Sequence, residues 1–314
     1  MNKKIEPKLT IKEVFLKYQR SNKIRNLAEQ TLRLKEENFE GFAKFIDVEE
    51  KDIKKVTIDT VEGYIEYLLN KGNKPTTINI KLRDLKAFMN YCFDNGYCKN
   101  FKITLLKVDE TIKEVYNEEQ LKKLLKKPNI KKCGFNEYRN WAIENFLLGT
   151  GVRCKTLLNL KVEDLDLQAG FVKIKNTKGR VEQLLPLSYN LIEILEEYLS
   201  YRGADAEDYL FCSETGGQMA RSTLTDAISY YNTKRGVAIT SIHSFRHTYA
   251  KMYVQNGGNA FKLQRLLGHK SVRTTQIYVN LFGEDLAEGY QELNPLNTFL
   301  EHNQKIKKTK IKMR

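Results

Sequence analysis

The residues best suited to chemistry are histidines and arginines that cluster in the last third of the chain. His243, His247 and His269 fall within 27 positions of one another, although the whole chain has only 4 histidines. Arg246 follows His243 by three residues, so a helix would present both side chains on one face. Upstream, Arg153 follows a glycine-flanked turn after an apolar stretch, and glycine lets the backbone approach a ligand closely.

The two arginines are suited to a phosphate group. A guanidinium carries a permanent charge and a planar fork of donors that matches phosphate oxygens. Arg153 and Arg246 are therefore candidates to bind the oxygens of a phosphate group. By analogy with an oxyanion hole, each well-placed donor contributes roughly 3–4 kcal/mol to a transition state that gains negative charge. Taken alone, Arg153 would be interpreted as a partner of the C-terminal end of a helix.

The sequence predicts neither a metal site nor a cofactor. The histidines lack a nearby Asp or Glu at zinc-ligand spacing, and the run HSFRH is not the HExxH of a metalloprotease. No P-loop is present. The 5 cysteines are scattered and form no CxxC pair, which favours a reducing, cytoplasmic setting. No apolar run approaches the roughly 18 residues of a membrane span, so no membrane partner is expected.

The charge of the chain indicates a polyanionic partner. The net charge is +14 with a pI of about 9.3, and the excess is spread along the chain. The last residues, 301–314, carry 6 basic side chains and 1 acidic one. Nucleic acid is the leading candidate for the partner. On charge alone, a basic protein with solvated lysine faces is an equally good explanation.

The elements that must position these residues divide into two domains, as a length of 314 residues suggests. Apolar spacing predicts four helices within residues 1–98, followed by a polar linker at 99–116. The predicted catalytic domain, 117–290, begins with Asn117 as a helix N-cap and is mostly helical. The predicted helices are 9–20, 28–45, 57–69, 76–93, 118–127, 137–148, 188–201, 221–235, 243–256, 259–267 and 271–280.

A β-hairpin is the one sheet element that the pattern predicts. Apolar and polar residues alternate from Phe171 to Asn176, and a basic turn follows. A second strand is predicted from Val181 to Leu187, ending at Pro186-Leu187. Gly257-Gly258 should end the helix that carries His243. The predicted fold is therefore mainly α with a small β-sheet.

Five sequence elements in this order resemble the tyrosine recombinase (phage integrase) family. They are TGVR at Arg153, Lys178 eight residues before Pro186, HSFRH with His243 and Arg246, LGH ending at His269, and Tyr278 nine residues later. The resemblance implies an N-terminal helical core-binding (SAM-like) domain and an α+β catalytic domain. It is closest to the compact Xer-like and transposon-type integrases.

The resemblance also implies a catalytic set with assigned roles. Tyr278 would be the nucleophile, because a phenol of pKa near 10 ionises more readily among cations. Lys178 would protonate the departing 5′-oxygen. His243 would accept the phenol proton or donate to the phosphate, and His269 would be a further donor. The full set is Arg153, Lys178, His243, Arg246, His269 and Tyr278. The 3′-phosphotyrosyl product keeps the phosphodiester energy, so rejoining needs no ATP.

Two features of the sequence, at three positions, depart from the family pattern. Thr156 stands where the family usually has an acidic residue, three positions after its first arginine. Val181 and Gln183 stand where the hairpin often carries further basic residues. We expect the first change to affect local organisation and the second to reduce the number of phosphate contacts.

The expected partners are duplex DNA with specific recombination sites and further copies of the chain in a tetramer. Two domains clamped on the duplex would choose the site through a few groove contacts, for which Lys81, Arg83 and Lys86 are candidates. The tail, 291–314, is expected to dock on a neighbouring protomer, and an accessory directionality factor is a further candidate partner. Nucleoid association would follow from DNA binding.

Two other functions are compatible with parts of this pattern. A type IB topoisomerase shares the chemistry but only relaxes DNA, and the apolar residues beyond Tyr278 favour a recombinase over it. A non-catalytic DNA-binding regulator would not need the intact catalytic set. Strand exchange through a Holliday junction separates the recombinase from both.

Overall fold

The computed structural model describes residues 8–108, 114–175 and 182–268. The chain forms two compact units that divide between Thr111 and Ile112, and each has its own hydrophobic core. Helices dominate both units, and a small sheet occurs in the second. The predicted fold class is therefore confirmed.

Within residues 8–108, the first unit has four helices and a short 3-10 helix at Ile53–Lys55. All four predicted helices are present, and each end lies within four residues of its predicted position. Their bounds are Ile11–Ile24 for α1, Glu29–Ala43 for α2, Ile58–Asn70 for α3 and Pro75–Asp94 for α4.

Local signals set the beginnings of these helices, and apolar faces hold them together. Thr10 and Glu13 form a capping box at the start of α1, each side chain bonding the other residue's backbone N–H. Pro75 occupies the first turn of α4, where its missing N–H costs nothing. In the core, the ring of Phe15 stacks on Phe39, with centroids 3.6 Å apart.

The chain after α4 contacts the first unit without forming a further helix or strand up to residue 108. Asn79 on α4 donates to the Leu106 carbonyl and accepts from the Leu106 N–H, both at 2.9 Å. Lys86 donates to the carbonyl of Ile103, whose side chain is buried in the helical core. The first part of the expected linker is therefore tied to α4.

The second unit contains seven described helices and a 3-10 helix at Val162–Asp164. Asn117 caps α5 in a capping box with Gln120, which confirms the predicted N-cap. The predicted helix at 271–280 lies outside the described residues. The helices are α5 (Glu118–Leu124), α6 (Phe135–Thr150), α7 (Cys154–Asn159), α8 (Tyr189–Arg202), α9 (Arg221–Lys234), α10 (Ile242–Gln255) and α11 (Ala260–Leu267).

Helix α6 is the centre of this unit, since it packs against α8, α9 and α10. Its side chains are buried around most of its circumference, including Trp141 and Phe146. A helix buried on all sides is the expected result when neighbours surround it. The packing of α6 therefore holds its C-terminal end in place. Arg153 lies three residues after the last residue of the helix, Thr150.

The sheet has three antiparallel strands in the order β1-β2-β3. They are Leu165–Asp166, Phe171–Ile174 and Gln183–Pro186, and the hairpin register pairs Ile174 with Gln183. The predicted hairpin is confirmed. The pattern missed β1 and α7 because two and six residues are too few for a recognisable period. Among the described residues, no helix is both long and apolar enough to cross a membrane.

Candidate active site

The turn that presents Arg153 is built by the end of α6. Gly151 ends the helix in a left-handed conformation, with φ at +62°, and its N–H donates to the Leu147 carbonyl at 2.9 Å. A Cβ on Gly151 would lie 2.6 Å from the Tyr249 ring of α10, so the contact admits no larger residue. Arg153 is then the N-cap residue of α7, which differs from the simple alternative of a partner for the C-terminal end of α6.

Arg246 is a buried guanidinium that joins two parts of the site. Its side chain points from α10, and the residue is only 7% exposed. Nη1 donates to the Gly151 carbonyl and Nη2 donates to the Leu267 carbonyl, each at 2.7 Å. Hydrogen bonds from a charged donor are short and strong. Arg246 therefore fixes the turn before Arg153 against the end of α11.

Arg153 and Arg246 both donate to backbone carbonyls at the C-terminal end of α11. Gly268 caps the helix with φ at +59°, and its carbonyl accepts from Nη2 of Arg153 at 3.3 Å. The last carbonyls of a helix carry partial negative charge, which favours nearby guanidinium groups. Burial lowers the pKa of Arg153 below its ordinary value. That value is so high that the group stays charged at neutral pH.

Gln183, the first residue of β3, bonds to the same helix end. Its Nε2 donates to the Arg265 carbonyl and, at 3.2 Å, to the Leu266 carbonyl. The sequence reasoning missed this role and noted only that a basic residue is lacking there. The alternation of side-chain directions along β3 was the one indication of this role, because it places Gln183 on the same face as buried Leu185.

One pocket unites the residues that these contacts bring together. Both arginines line it, as do Thr156, which is half-buried on α7, and the hairpin strands. The arrangement is a small concave site with two convergent cations held by backbone carbonyls, which suits a phosphate with two exposed oxygens. The lining residues are Val152, Arg153, Thr156, Ile174, Gln183, Leu185, Arg246, Leu266, Leu267 and Gly268.

The histidines of α10 lie near the start of the helix. His243 is exposed in its first turn, where the helix dipole favours an anion. Arg246, one turn later, is buried. His247 is half-buried. The phenols of Tyr249 and Tyr253 pack half-buried against the small cluster of Ala250, Leu263 and Leu267.

Three of the predicted catalytic residues lie outside the described residues: Lys178, His269 and Tyr278. The described residues end at 175 and resume at 182, on either side of Lys178, and they end again at Gly268, before His269 and Tyr278. Lys178 belongs to the segment between β2 and β3. His269 follows Gly268 directly in the sequence. Their roles stay predictions.

Comparison with known proteins identifies the family. The description "Phage integrase family" matches residues 114–284, and "Phage integrase SAM-like domain" matches residues 13–112. The chain belongs to the phage integrase family. Its members are tyrosine recombinases, which are DNA strand-transferring enzymes, and this chain is one of them.

Curated members of the family align along most of the chain. Tyrosine recombinase XerC of Thermodesulfovibrio yellowstonii is 29% identical over 280 residues, covering 85% of this chain and 91% of that protein. Tyrosine recombinase XerA of Pyrococcus furiosus is 28% identical over 296 residues, covering 87% and 99%. The similarity therefore spans both units.

Solved structures of the family share the fold. A Tn1549 transposon integrase in complex with circular intermediate DNA has a TM-score of 0.72 at 20% identity, covering 86% of this chain and 95% of that chain. A lambda integrase dimer bound to a core site has a TM-score of 0.69 at 15% identity, with coverage of 88% and 98%. A lambda integrase tetramer bound to a Holliday junction has a TM-score of 0.70 at 14% identity, with coverage of 90% and 81%.

The three candidate DNA-reading residues of α4 differ in accessibility. Arg83 is exposed, whereas Lys81 and Lys86 are half-buried. The ammonium of Lys86 already donates to the Ile103 carbonyl at 3.0 Å. Their contact with DNA stays a prediction.

Among residues 8–108, 114–175 and 182–268, no group of three or more His, Cys, Asp or Glu side chains is placed to hold a metal ion.

Proposed function

We propose that the chain is a site-specific recombinase that cuts and rejoins duplex DNA through a 3′-phosphotyrosyl intermediate and a Holliday junction. One observation carries the proposal. Arg153 and Arg246 line a single pocket at the end of α11, one residue before His269 in the sequence. The sequence motifs that resemble the family support the other members of the proposed catalytic set, Lys178, His243, His269 and Tyr278.

The cleavage step is a displacement at phosphorus. The Tyr278 oxygen forms a bond to the phosphorus atom while the bond from phosphorus to the 5′-oxygen breaks. His243 takes the phenol proton, and Lys178 gives a proton to the departing 5′-oxygen. Rejoining runs the same steps in reverse from a free 5′-hydroxyl. The number of phosphodiester bonds is conserved, so the reaction needs no ATP.

The arginines would stabilise the charge that develops on the non-bridging oxygens. Backbone carbonyls hold Arg246 and Arg153 before the substrate arrives, so little reorganisation is needed during the reaction. A guanidinium has five N–H donors, so one carbonyl does not exhaust Arg153. Thr156 stands three positions after Arg153, where the family usually has an acidic residue, and it adds no charge to this pocket.

The proposed partners are duplex DNA with specific recombination sites and three further copies of the chain. A basic surface that neutralises phosphates should bind DNA with an affinity that falls steeply with salt. Lambda integrase, which shares the fold, is seen as a tetramer on a Holliday junction. Docking of the segment 291–314 on a neighbouring protomer would close such a ring.

A trapping experiment tests the proposal. Nicked duplexes that tile the DNA flanking the gene are incubated with the protein, so that the short 5′ fragment diffuses away and the covalent complex accumulates. Wild-type protein and the control Tyr230→Phe, an exposed tyrosine of α9, should form the complex. Tyr278→Phe should bind the same DNA and form none. A covalent complex with Tyr278→Phe, or none with wild-type protein on any duplex, would contradict the proposal.

A second assay tests the finer claim of strand exchange. The duplex that forms the covalent complex is built into a synthetic Holliday junction and into a supercoiled plasmid. A recombinase resolves the junction into recombinant duplexes. Relaxation of the plasmid without resolution of the junction would assign the chain to the topoisomerase alternative.

A further inference from the structure

The turn that ends α4 brings two cysteines of the first unit together. Gly96 follows the helix in a left-handed conformation, with φ at +69°, and its N–H donates to the Phe93 carbonyl at 3.0 Å. The Tyr97 N–H donates to the Cys92 carbonyl at 2.9 Å. This pair of bonds is the Schellman motif, which folds the chain back over the last turn of its helix. The next residue, Cys98, is thereby returned to the side of Cys92.

The two thiols differ in exposure but share one environment. Cys92 is fully buried in the core of the first unit, whereas Cys98 is half-buried and packs against the same core. Both are free thiols, and they interact through a side-chain hydrogen bond. A cysteine that is partly open to solvent thus contacts one that is shielded from it.

The same interaction makes the two thiols unequal in reactivity. It lowers the pKa of Cys98, against the smaller opposing effect of burial. It raises the pKa of Cys92, and burial acts in the same direction. Because the thiolate is the form that attacks an oxidant, Cys98 should react first. Cys92 should remain a thiol until its neighbour has been oxidised.

We propose that Cys92 and Cys98 are a redox modification site, which hydrogen peroxide converts into a reversible disulfide. The Cys98 sulfur attacks one peroxide oxygen and the O–O bond breaks, which leaves a sulfenic acid and releases one water molecule. The Cys92 sulfur then forms a bond to the Cys98 sulfur while the S–O bond breaks. The hydroxyl leaves with the Cys92 proton as a second water molecule. Two thiols lose two electrons, which reduce the peroxide, and a dithiol reductant reverses the change.

A reversible disulfide is compatible with the reducing setting that the cysteine pattern favours. Disulfides in the cytosol are usually transient and redox-sensing. The two cysteines are six positions apart and form no CxxC motif, so the sequence alone does not show their proximity. Neither lines the pocket of Arg153 and Arg246, and the inference therefore stands apart from the proposed function.

Peptide mapping of the full-length protein tests the site. The protein is treated with hydrogen peroxide, free thiols are blocked with N-ethylmaleimide, and the mass of the tryptic peptide 87–99 is measured without reduction. In wild-type protein this peptide should carry no maleimide and be lighter by about 2 Da, the mass of two hydrogens. Dithiothreitol before blocking should restore two reactive thiols. Chymotrypsin cleaves after Phe93 and Tyr97, so the two halves should stay joined until they are reduced.

Single substitutions separate the two sulfurs. Cys98→Ser should leave Cys92 a free thiol, because the buried sulfur is protected from peroxide. Cys92→Ser should stop at the sulfenic acid of Cys98, which dimedone traps. The control Cys133→Ser replaces a half-buried cysteine of the second unit, and its peptide 87–99 should become lighter as in wild-type protein.

Three results on wild-type protein would overturn the inference, and none requires a variant to fold. In the first, peptide 87–99 keeps both thiols at peroxide concentrations that oxidise free cysteine. In the second, Cys98 accumulates as a sulfenic or sulfinic acid while Cys92 remains free. In the third, either sulfur is linked to a different cysteine.

Discussion

The two units of this recombinase differ in the interactions that stabilise each one internally. In the first unit, aromatic rings from neighbouring helices fill the core, and the capping bonds join residues only three positions apart. In the second unit, the site depends on hydrogen bonds between residues 21 to 115 positions apart, such as Arg246 to Leu267 and Arg153 to Gly268. The first arrangement makes a scaffold from local patterns. The second makes a charged site that only the folded chain can assemble.

Trp141 makes this difference measurable. It is the single tryptophan of the chain, and it is buried in α6 at the centre of the second unit. Its fluorescence during denaturation therefore reports on the second unit, whereas far-ultraviolet circular dichroism reports on the helices of both.

The largest effect is expected at Arg246. Arg246→Ala removes the proposed phosphate contact and leaves two buried carbonyls without their donor, so cleavage should fall about 10³-fold or more. The free energy of unfolding of the second unit should fall by about 2–4 kcal/mol. Covalent complex formation and the Trp141 transition measure the two losses.

Arg246→Lys sharpens the same test. Lysine keeps the charge but cannot reach two carbonyls with a planar fork, so it should also cleave poorly. Recovery of the wild-type rate with lysine would show that charge alone matters at this position. The interpretation of Arg246 as the joint between α6 and α11 would then be wrong.

Phe88→Ala probes the other region. Phe88 is 2% exposed, and its ring packs edge-on against Phe15 and Phe39. The truncation should cost the first unit about 3–5 kcal/mol. The circular dichroism transition should therefore split or broaden, while the Trp141 transition stays in place. A Trp141 transition displaced by the same amount would contradict the independence of the two cores.

A smaller, pH-dependent effect is expected at Glu144 in α6. The residue is fully buried, and within the described part of the chain neither carboxylate oxygen has a hydrogen-bond partner. Burial raises the pKa of Glu144 well above its ordinary value, against the smaller opposing effect of Arg235. The unfolded chain loses this proton near pH 4.5, whereas the folded chain keeps it, so stability falls as the pH rises above that point.

Glu144→Gln removes this dependence. The difference in unfolding free energy between the variant and wild-type protein, measured from the Trp141 transition, should shift in favour of the variant from pH 5 to pH 8. A difference that is constant over this range, or that shifts the other way, would show that the carboxyl is not held neutral in the folded state. Neither outcome bears on the pocket lined by Arg153 and Arg246, which makes Glu144 an internal reference for the second unit.

The sequence predicted the scaffold better than the site, for a physical reason. Helices such as α1 and α4 repeat an apolar face over several turns, and Asn117 carries its own capping signal. The convergence of Arg153 and Arg246 depends on backbone carbonyls of Gly151, Leu267 and Gly268. Every residue has such a carbonyl, so the sequence does not show which ones will accept these hydrogen bonds. The resemblance named both arginines, but it could not show what holds them.

The same limit explains what the sequence missed. Helix α7 and strand β1 are too short to show a period. The amide of Gln183 finds its partners through tertiary structure, and only its place on the buried face of β3 hinted at a role. Local pattern therefore predicts which elements form, and long-range hydrogen bonds decide which side chains meet.

The identity of the residue that becomes joined to DNA tests the central claim most directly. The trapped complex is digested with trypsin and nuclease, and the peptide that keeps a nucleotide is sequenced by mass spectrometry. We predict a phosphonucleotide on Tyr278, within the tryptic peptide that follows Arg273, and not on Tyr290 of the same peptide. A nucleotide on Tyr290, on any other residue, or on no peptide at all would contradict the account.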